Sequence, residues 1–215
     1  MSKIISIEQA MDKVQDSFVI MIGGFLAVGT PERLIDAVVS KGYKDLTVIA
    51  NDTGFPDRGI GKLVVSHQVK KAIVSHVGTN PETGRQMNAN ELEVELSPQG
   101  TLIERIRSGG AGLGGVLTPT GVGTVVAEGK STVTIDGREF LLEKPLRANV
   151  ALVKAHKADT DGNLVFRMSA RNFNPKIATA ADIVIAEVEV IVSAGEIDPD
   201  EVMLPGIFVD YIVQA

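Results

Sequence analysis

The chain has 215 residues, of which 44% are hydrophobic, and its formal net charge at pH 7 is −6. This charge argues against nucleic acid as a ligand, since such a ligand requires a basic face. The absence of cysteine excludes a disulfide framework and a thiol nucleophile. The N-terminus lacks the long apolar segment of a signal peptide, and no apolar run approaches the roughly 18 residues of a membrane span, so we expect a cytoplasmic protein without membrane contact.

The first predicted elements alternate between helix and strand. Ser6 and Gln9 have the spacing of a capping box and predict a helix over Ile7–Val14. The uninterrupted apolar run Val19–Ile22 then predicts a parallel strand that is buried on both faces. Since the alternation continues along the chain, we expect a single α/β domain over residues 1–215, with a mostly parallel sheet and flanking helices.

A glycine-rich corner follows the first strand. Gly23 and Gly24 end that strand and would let a ligand approach the backbone without a Cβ in the way. Thr30 as the cap and Pro31 as the first residue predict a helix that continues to Ser40. Free N–H groups at such a helix start attract phosphate or carboxylate, although a tight turn without a ligand also explains the two glycines.

The middle of the chain continues the alternation up to a second glycine-rich stretch. The predicted strands cover Leu46–Ala50, Lys71–Ser75 and Leu92–Leu96, and a surface loop covers Gly78–Asn90. A second capping-box pattern, Thr101 with Glu104, predicts the start of another helix. The seven glycines within Gly109–Gly123 then predict either an active-site loop or a flexible surface loop.

A small β-hairpin insertion is predicted in the C-terminal half. Asp136-Gly137-Arg138 is a turn signature, and it is flanked by the predicted strands Thr132–Ile135 and Glu139–Leu142. The remaining predicted elements are the strands Val150–Lys154, Leu164–Arg167, Ile183–Glu187 and Ile207–Val213 and a helix over Pro175–Ala181.

Six segments, spread in order over nearly the whole chain, carry a family resemblance. They are D-S-F-V-I-M-I-G-G-F-L-A-V-G-T-P (Asp16–Pro31), N-D-T-G (Asn51–Gly54), E-L-E-V-E-L-S-P-Q-G-T-L-I-E-R-I-R (Glu91–Arg107), G-G-A-G-L-G-G (Gly109–Gly115), T-P-T-G-V-G-T (Thr118–Thr124) and S-A-R-N-F-N (Ser169–Asn174). Together they resemble the α subunits of the family I CoA-transferases, which implies a CoA-transferase/sugar-phosphate-isomerase-like fold. Ser17 departs from the pattern, because the family usually has glycine after the aspartate.

This resemblance implies a transferase that moves CoA between a short-chain acyl-CoA or acetoacetyl-CoA and a carboxylate such as acetate, butyrate or acetoacetate. In the family a glutamate attacks the thioester and then carries CoA as a glutamyl thioester, in a ping-pong reaction. That glutamate lies in a Glu-Asn-Gly motif of the β subunit, and this chain contains no Glu-Asn-Gly. We therefore expect an α subunit that is inactive alone and pairs with a β subunit as α2β2, with CoA as a substrate and without a cofactor.

The resemblance also assigns site residues. The CoA-binding positions of the family fall on Gly23, Gly24, Phe25, Leu26, Ala27, Val28 and Gly29. Phe25 is expected at the thioester side of the CoA channel, with a core aromatic as the alternative. The oxyanion-hole glutamine of the family falls on Gln99, which follows a predicted strand end and can donate its side-chain amide to an oxyanion. The alternative role of Gln99 is a hydrogen bond to the loop backbone.

Two acidic residues are candidates for acid-base chemistry. Glu93 and Glu95 share one face of a predicted strand. An ion pair with Arg105 or Arg107 is the preferred interpretation, because most such pairs on a surface are structural.

Basic residues and histidines are less specific candidates. The basic residues considered for pairing with phosphate or carboxylate are Arg105, Arg107, Lys154, Lys157, Arg167 and Arg171. Arg171 and Asn172 stand in a segment without helix or strand pattern, so they could instead fix a loop or a subunit interface. His67, His76 and His156 lack the spacing of metal ligands, so no metal site is expected.

Two other functions remain open from the residues. A sensor domain of the sugar-phosphate-isomerase-like fold would keep the Gly-Gly corner, bind a sugar phosphate and ignore CoA. A thioesterase that uses Glu93 or Glu95 would hydrolyse acyl-CoA as an isolated chain. The absence of a second-half motif favours the transferase subunit over both alternatives.

Overall fold

The structure, a computed structural model, describes residues 2–215. Its strands are β1 (Val19–Ile22), β2 (Leu46–Ile49), β3 (Val69–Val74), β4 (Glu93–Leu96), β5 (Val116–Thr118), β6 (Thr132–Ile135), β7 (Arg138–Glu143), β8 (Ala148–Asp159), β9 (Leu164–Val165), β10 (Ala181–Val192) and β11 (Tyr211–Gln214). Its α-helices are α1 (Ile7–Met11), α2 (Glu32–Lys41), α3 (Gly61–Val65), α4 (Pro81–Asn88), α5 (Gln99–Gly110) and α6 (Asn174–Ile177). Short 3-10 helices lie at Val125–Ala127, Met168–Arg171, Pro199–Glu201 and Gly206–Phe208.

Eight strands form the main sheet, in the order β11-β10-β8-β1-β2-β3-β4 with β9 paired to β8. All neighbours along this path are parallel, whereas β9 is antiparallel to β8. The chain moves from β1 to β4 in one direction and from β8 to β11 in the other, so the order reverses between β1 and β8. Open α/β sheets bind ligands at the carboxyl ends of strands beside such a reversal. The predicted fold, a mostly parallel sheet with flanking helices, is confirmed.

Two hydrophobic clusters cover the two faces of this sheet. Strand β1 alternates between them, with Ile20 and Ile22 in one cluster and Met21 in the other. The first cluster includes buried residues of α1, α2 and α3, and the second includes buried residues of α5 and α6. Since both faces of β1 are buried, the apolar run in its sequence has the predicted cause.

The predicted β-hairpin insertion is present and is larger than expected. β6 and β7 are antiparallel and joined by a two-residue turn in which Asp136 has φ +50° and Gly137 has φ +74°. β5 adds a third strand to this small sheet. It forms inside the glycine-rich stretch that was predicted as a loop, and α5 also extends into that stretch as far as Gly110. Strand β5 was not predicted because the many glycines of the stretch indicated a loop, and the apolar run at Val116 is too short to indicate a strand.

The first helix is shorter than predicted, and the second is shifted by one residue. The Ser6–Gln9 capping box is present, but α1 ends at Met11 rather than Val14. α2 begins at Glu32 after Pro31, and its cap makes no side-chain hydrogen bond, so the predicted Thr30 cap is wrong.

The region predicted as a surface loop at Gly78–Asn90 contains helix α4. Asn80 accepts a hydrogen bond from the backbone N–H of Glu82, and Pro81 occupies the first turn. This start signal is readable in the sequence. Gly84 obscured it, although a glycine at an uncrowded helical position costs only about 1 kcal/mol. Helix α3 was not predicted.

The C-terminal elements differ from the predictions mainly in length. β8 and β10 run for 12 residues each, well beyond the predicted Val150–Lys154 and Ile183–Glu187. Their long mutual pairing explains the extension, because each strand satisfies the backbone of the other. The predicted strand Ile207–Val213 begins only at Tyr211, after a 3-10 helix. β9 and α6 are likewise shorter than expected.

Among residues 2–215, no helix combines the length and the apolar character needed to cross a bilayer.

Candidate functional site

The predicted site residues lie at the carboxyl edge of the main sheet, where several strands end together. Gly23 follows β1, Asn51 and Asp52 come just after β2, and Gln99 comes shortly after β4. Because these strands are parallel, their carboxyl ends meet at one edge. Residues that are up to 76 positions apart in sequence are thereby brought to one surface.

A tight turn follows the glycine pair and carries Phe25 at its start. The backbone N–H of Phe25 donates to Val28 O at 3.0 Å, and the N–H of Val28 donates to Phe25 O at 2.9 Å. Leu26 and Ala27 have φ of +46° and +68°, a region that non-glycine residues rarely adopt. Phe25 is 42% exposed, so the alternative that it is a core aromatic is wrong.

The glycines of this corner are required by the packing of the chain on itself. A Cβ on Gly23 would overlap the side-chain oxygen of Asn174, and a Cβ on Gly24 would overlap the hydroxyl of Thr30. Gly24 also has φ of +126°. The space beside both glycines is therefore filled by the chain's own side chains, contrary to the expectation of an open approach for a ligand.

The start of α2 is also occupied by the protein. The backbone N–H of Leu34 donates to Oε2 of the buried Glu187 at 3.0 Å. Lys154 donates from Nζ to the other carboxylate oxygen of Glu187 at 3.1 Å. A carboxylate at a helix start satisfies an N–H group and interacts favourably with the helix dipole. The backbone N–H of Leu34, which was expected to be free for a ligand, is therefore bonded to the carboxylate of Glu187. The sequence alone did not reveal this contact.

The segment S-A-R-N-F-N fixes the glycine corner through its two asparagines. Asn172 accepts from the N–H of Gly24 at 3.2 Å and donates to Val28 O at 2.9 Å. Asn174 donates to Gly29 O at 2.9 Å. The prediction that Asn172 fixes a loop is confirmed, and Asn174 was missed although it lies two residues further on.

Gln99 lies at the first position of α5 and is exposed. Its Nε2 donates to Oδ1 of Asn51 at 2.7 Å, so its partner is a side chain and not the loop backbone. The predicted capping box of this helix is wrong, because α5 begins two residues before Thr101. The Thr101 hydroxyl is buried without a hydrogen-bond partner in residues 2–215.

A chain of hydrogen bonds joins Gln99 to the Phe25–Val28 turn. Asn51, which accepts from Gln99, donates from Nδ2 to Oδ2 of Asp52 at 2.7 Å. The same Asp52 oxygen accepts from the backbone N–H of Leu26 at 2.9 Å. The two regions that the sequence assigned separately are thus physically connected, and the connecting residues were missed as contributors.

Two open cavities lie at this edge. One, of about 330 Å³, is apolar and is lined by Phe25, Leu26, Val28, Ser169 and Asn172. The other, of about 400 Å³, lies beside Pro98 and Gly100 and reaches β5. Cavities of this size with a few polar groups at their margins are typical of small-ligand sites.

The acidic pair on β4 is held in ion pairs away from these cavities. Glu95 lies 2.7 Å from Arg105 Nη1, and Lys71 contacts both Glu93 and Glu95 at 2.7 and 3.4 Å. Burial raises the pKa of Glu95, but the hydrogen bond from Arg105 and the charges of Arg105 and Lys71 outweigh this effect and leave the pKa below its ordinary value. The predicted ion pair with Arg105 is confirmed, whereas Arg107 pairs with Glu104.

No group of three or more histidine, aspartate or glutamate side chains in residues 2–215 is placed to hold a metal ion.

The chain is similar to known proteins along nearly its whole length. A family model described as Coenzyme A transferase matches residues 4–215. Acetate CoA-transferase subunit alpha of Escherichia coli K12 is 56% identical over 212 residues, which cover 99% of this chain and 96% of that protein. The acetoacetyl-CoA:acetate/butyrate CoA transferase alpha subunit of Clostridium acetobutylicum is 52% identical over 213 residues, covering 99% and 98% of the two chains.

A solved structure shares the fold. The acyl-CoA transferase YdiF of Escherichia coli O157:H7, in a thioester complex with CoA, superposes with a TM-score of 0.90 at 24% identity. The match covers 100% of this chain and 47% of that one, so this chain spans about half of its structural neighbour. The resemblance to the α subunits of the family I CoA-transferases is confirmed, and the chain belongs to the coenzyme A transferase family of enzymes.

Proposed function

We propose that the chain is the α subunit of a two-chain enzyme that moves CoA between a short-chain acyl-CoA or acetoacetyl-CoA and a carboxylate such as acetate, butyrate or acetoacetate. The observation that carries this proposal is the hydrogen-bonded connection between Gln99 and the Phe25–Val28 turn. Through Asn51 and Asp52, this connection links an amide donor to the segment proposed to bind CoA, at the edge where α/β sheets bind ligands.

In the proposed reaction a glutamate of the partner subunit attacks the thioester carbonyl of the acyl-CoA. The carbonyl oxygen becomes an oxyanion, and collapse of the intermediate releases CoA thiolate and leaves an acyl anhydride on the glutamate. The thiolate then attacks the glutamyl carbonyl, which releases the first carboxylate and leaves a glutamyl-CoA thioester. A second carboxylate reverses these steps and leaves as the new acyl-CoA.

Gln99 is the catalytic residue that this chain contributes. One N–H of its side-chain amide is used by Asn51, and the second has no acceptor among residues 2–215. A neutral N–H donor at this position can stabilise the oxyanion as its charge develops. The first N–H holds the amide in place, so the second is already oriented when the substrate arrives.

Gly23, Gly24, Phe25, Leu26, Ala27, Val28 and Gly29 are the proposed CoA-binding residues. The exposed side chains of Phe25 and Val28 line the apolar cavity of about 330 Å³, which suits the thioester end of the pantetheine arm. The backbone of this segment is held by hydrogen bonds: Asp52 accepts from the N–H of Leu26, and Asn172 contacts both Gly24 and Val28. A preorganised loop of this kind lowers the entropic cost of binding.

The nucleophile is proposed to come from a β subunit, because this chain contains no Glu-Asn-Gly motif. The relatives from Escherichia coli and Clostridium acetobutylicum are themselves named as alpha subunits. We propose an α2β2 assembly in which residues 1–215 act as one domain, with CoA as a substrate and without a further cofactor.

The alternative functions have less support. Family membership favours a transferase over a sugar-phosphate sensor. The thioesterase alternative needs a free carboxylate near the acyl-CoA, whereas Glu93 and Glu95 are engaged by Lys71 and Arg105.

The test is acyl exchange between acetoacetyl-CoA and acetate or butyrate, with release of free CoA followed in parallel. The chain is assayed alone and then together with the product of the adjacent reading frame. We expect exchange only in the pair. Exchange or CoA release by the single chain would contradict the division of labour, and silence in both samples would favour the sensor.

A further inference from the structure

Asp52 is a buried carboxylate whose partners are all neutral. It is 3% exposed, and among residues 2–215 it forms no ion pair within 4 Å. Its Oδ1 accepts from the backbone N–H of Gly54 at 2.7 Å, and its Oδ2 accepts from Leu26 and Asn51. Burial of a carboxylate is unfavourable unless such donors compensate it, and these three donors provide that compensation at the edge where Gln99 and Phe25 lie.

The charge of Asp52 sets the orientation of the neighbouring amides. A carboxylate only accepts hydrogen bonds, so Asn51 must turn its Nδ2 toward Asp52 and its Oδ1 the other way. That oxygen faces Gln99, which must therefore turn its own Nε2 toward Asn51. The Ser75 hydroxyl donates to the backbone carbonyl of Asn51 at 2.7 Å and thereby fixes the backbone of that residue, while its contact with Asn51 Oδ1 is longer, at 3.2 Å. The orientation of the Gln99 amide thus follows from the carboxylate of Asp52, to which it is connected by two successive hydrogen bonds through Asn51.

Asp52 also holds the turn that carries Phe25. Leu26 and Ala27 both adopt left-handed backbone conformations without being glycine, and such conformations are unfavourable unless the surroundings hold them. The bond from the Leu26 N–H to Asp52 is the contact that holds this turn from the β2 side.

We propose that Asp52 is a positioning residue for acyl transfer. Its carboxylate fixes the Gln99 amide and the Phe25–Val28 turn in one mutual geometry, without itself touching the substrate. This inference rests on the proposed function for its kinetic consequence, but the relay from Asp52 to Gln99 is a property of the folded chain.

The kinetic test is a double-mutant cycle in the assembled enzyme with its partner subunit. Asp52→Asn keeps the shape but places a donor where only acceptors stood, so we expect the Asn51 and Gln99 amides to turn and kcat to fall roughly 10–100-fold. Because Asp52 acts on kcat through Gln99, the kcat of the double variant with Gln99→Ala should be no lower than that of Gln99→Ala alone, within about threefold, while its effect through the Phe25–Val28 turn should change the KM for the acyl-CoA. The losses compared in this cycle are therefore losses of kcat. Multiplication of the two losses would overturn the proposal, since a purely structural defect adds to the loss of Gln99. Asp57→Asn is the matched control, because this neighbouring carboxylate is largely exposed.

The variant Asn51→Ala and an NMR measurement on Gln99 test the proposal even if Asp52→Asn cannot be assembled. Asn51→Ala removes the middle of the relay and leaves Asp52 bonded to Leu26, so it must show the same lack of additivity with Gln99→Ala even if Asp52→Asn fails to assemble. Independently of turnover, the side-chain amide signal of Gln99 is followed by NMR in the assembled enzyme with this chain labelled with ¹⁵N. We expect Asp52→Asn to shift that signal and Asp57→Asn to leave it in place.

An unshifted Gln99 signal would overturn the relay even if the enzyme is active. Absence of exchange in the wild-type pair would instead reject the proposed function and leave the NMR test of Asp52 standing, so the two failures are distinguishable.

Discussion

Asp52 and Glu143 are both buried carboxylates, with exposed fractions of 3% and 1%, but the protein holds them in opposite ways. Asp52 is surrounded by neutral N–H donors at the carboxyl edge of the main sheet. Glu143, on β7, lies 2.6 Å from Lys130 and 3.8 Å from Arg105. Neutral donors fix direction without adding charge to the site, whereas cations compensate charge and bind structural units together.

The region around Arg105 links the small sheet to the main one. Its guanidinium contacts Glu95 on β4 and Glu143 on β7, and it donates to Lys144 O at 3.0 Å. The small antiparallel sheet shares no strand with the main sheet, and the contacts of Arg105 connect the two. We therefore expect changes here to alter stability, and changes at the Asp52 edge to alter turnover.

The largest expected effect is the loss of stability in Arg105→Ala. Removing Arg105 leaves the buried Glu143 with Lys130 alone. It also leaves Glu95 with Lys71 alone, so we expect a cost of about 3 kcal/mol, the lower end of the range for a broken buried ion pair. The free energy of unfolding is measured in urea, with turnover of the assembled enzyme as the control. We expect kcat to change less than threefold. A large fall in kcat in the folded variant would erase the distinction between the two regions.

The complementary change is Gln99→Ala. Because Gln99 is proposed to donate to the oxyanion, turnover of the assembled enzyme is expected to fall roughly a hundredfold or more, which corresponds to about 2.7 kcal/mol on the barrier. Unfolding free energy and assembly with the partner should stay close to wild type, because Gln99 is exposed. Unchanged turnover would remove Gln99 from the mechanism.

A pair of glycine substitutions sharpens the account of the corner. Both Gly24 and Gly42 have positive φ, so alanine is unfavourable at either position. An added Cβ at position 24 would also overlap Thr30, whereas an added Cβ at position 42 would have no atom within 4 Å. We expect Gly42→Ala to cost about 1 kcal/mol of unfolding free energy and Gly24→Ala at least about twice that. Equal costs in thermal or urea unfolding would show that the Thr30 contact is easily relieved. Loss of CoA binding in a bulkier Gly24 variant is then a folding effect as well as a binding effect.

The smallest expected effect is a change in the acid dependence of stability. The pKa of Glu95 lies below its ordinary value of 4.5, so its ion pair contributes stability above that value and loses it as the pH falls through the lowered pKa. Glu95→Gln should therefore flatten the decline of unfolding free energy below about pH 4.5, while the exposed pair variant Glu104→Gln changes it less. Parallel acid curves for wild type and Glu95→Gln would contradict the ion pair.

Local patterns in the sequence predicted the elements whose stability is local. The Ser6–Gln9 capping box and the Asp136–Gly137 turn depend on neighbours in sequence, and both are present. The apolar run of β1 was readable for a different reason, because it indicates a strand that is buried on both faces. The Thr101 capping box failed because a strand end and Pro98 already determine where α5 begins. The length of β8 and β10 could not be predicted, since it depends on their pairing with each other.

The position of the site in the sheet could be predicted from the sequence, but the hydrogen bonds that hold its residues in place could not. The carboxyl-end rule and the family resemblance place Gln99 and the glycine corner at one edge. The contacts of Asn172 with Gly24 and of Glu187 with Leu34 join residues about 150 positions apart, so they depend on the order of strands in the sheet. No spacing in the sequence encodes that order, which explains why these residues were missed or left without a definite role.

The proposed division of labour between this chain and a partner subunit is tested most directly by finding which subunit becomes covalently attached to CoA. The assembled enzyme is incubated with acetoacetyl-CoA in the absence of an acceptor carboxylate, and the intact mass of each chain is measured. We expect the mass of the partner chain to increase by one CoA in thioester linkage and the mass of this chain to stay unchanged. A CoA adduct on this chain would contradict the proposal, because its own carboxylate would then be the nucleophile.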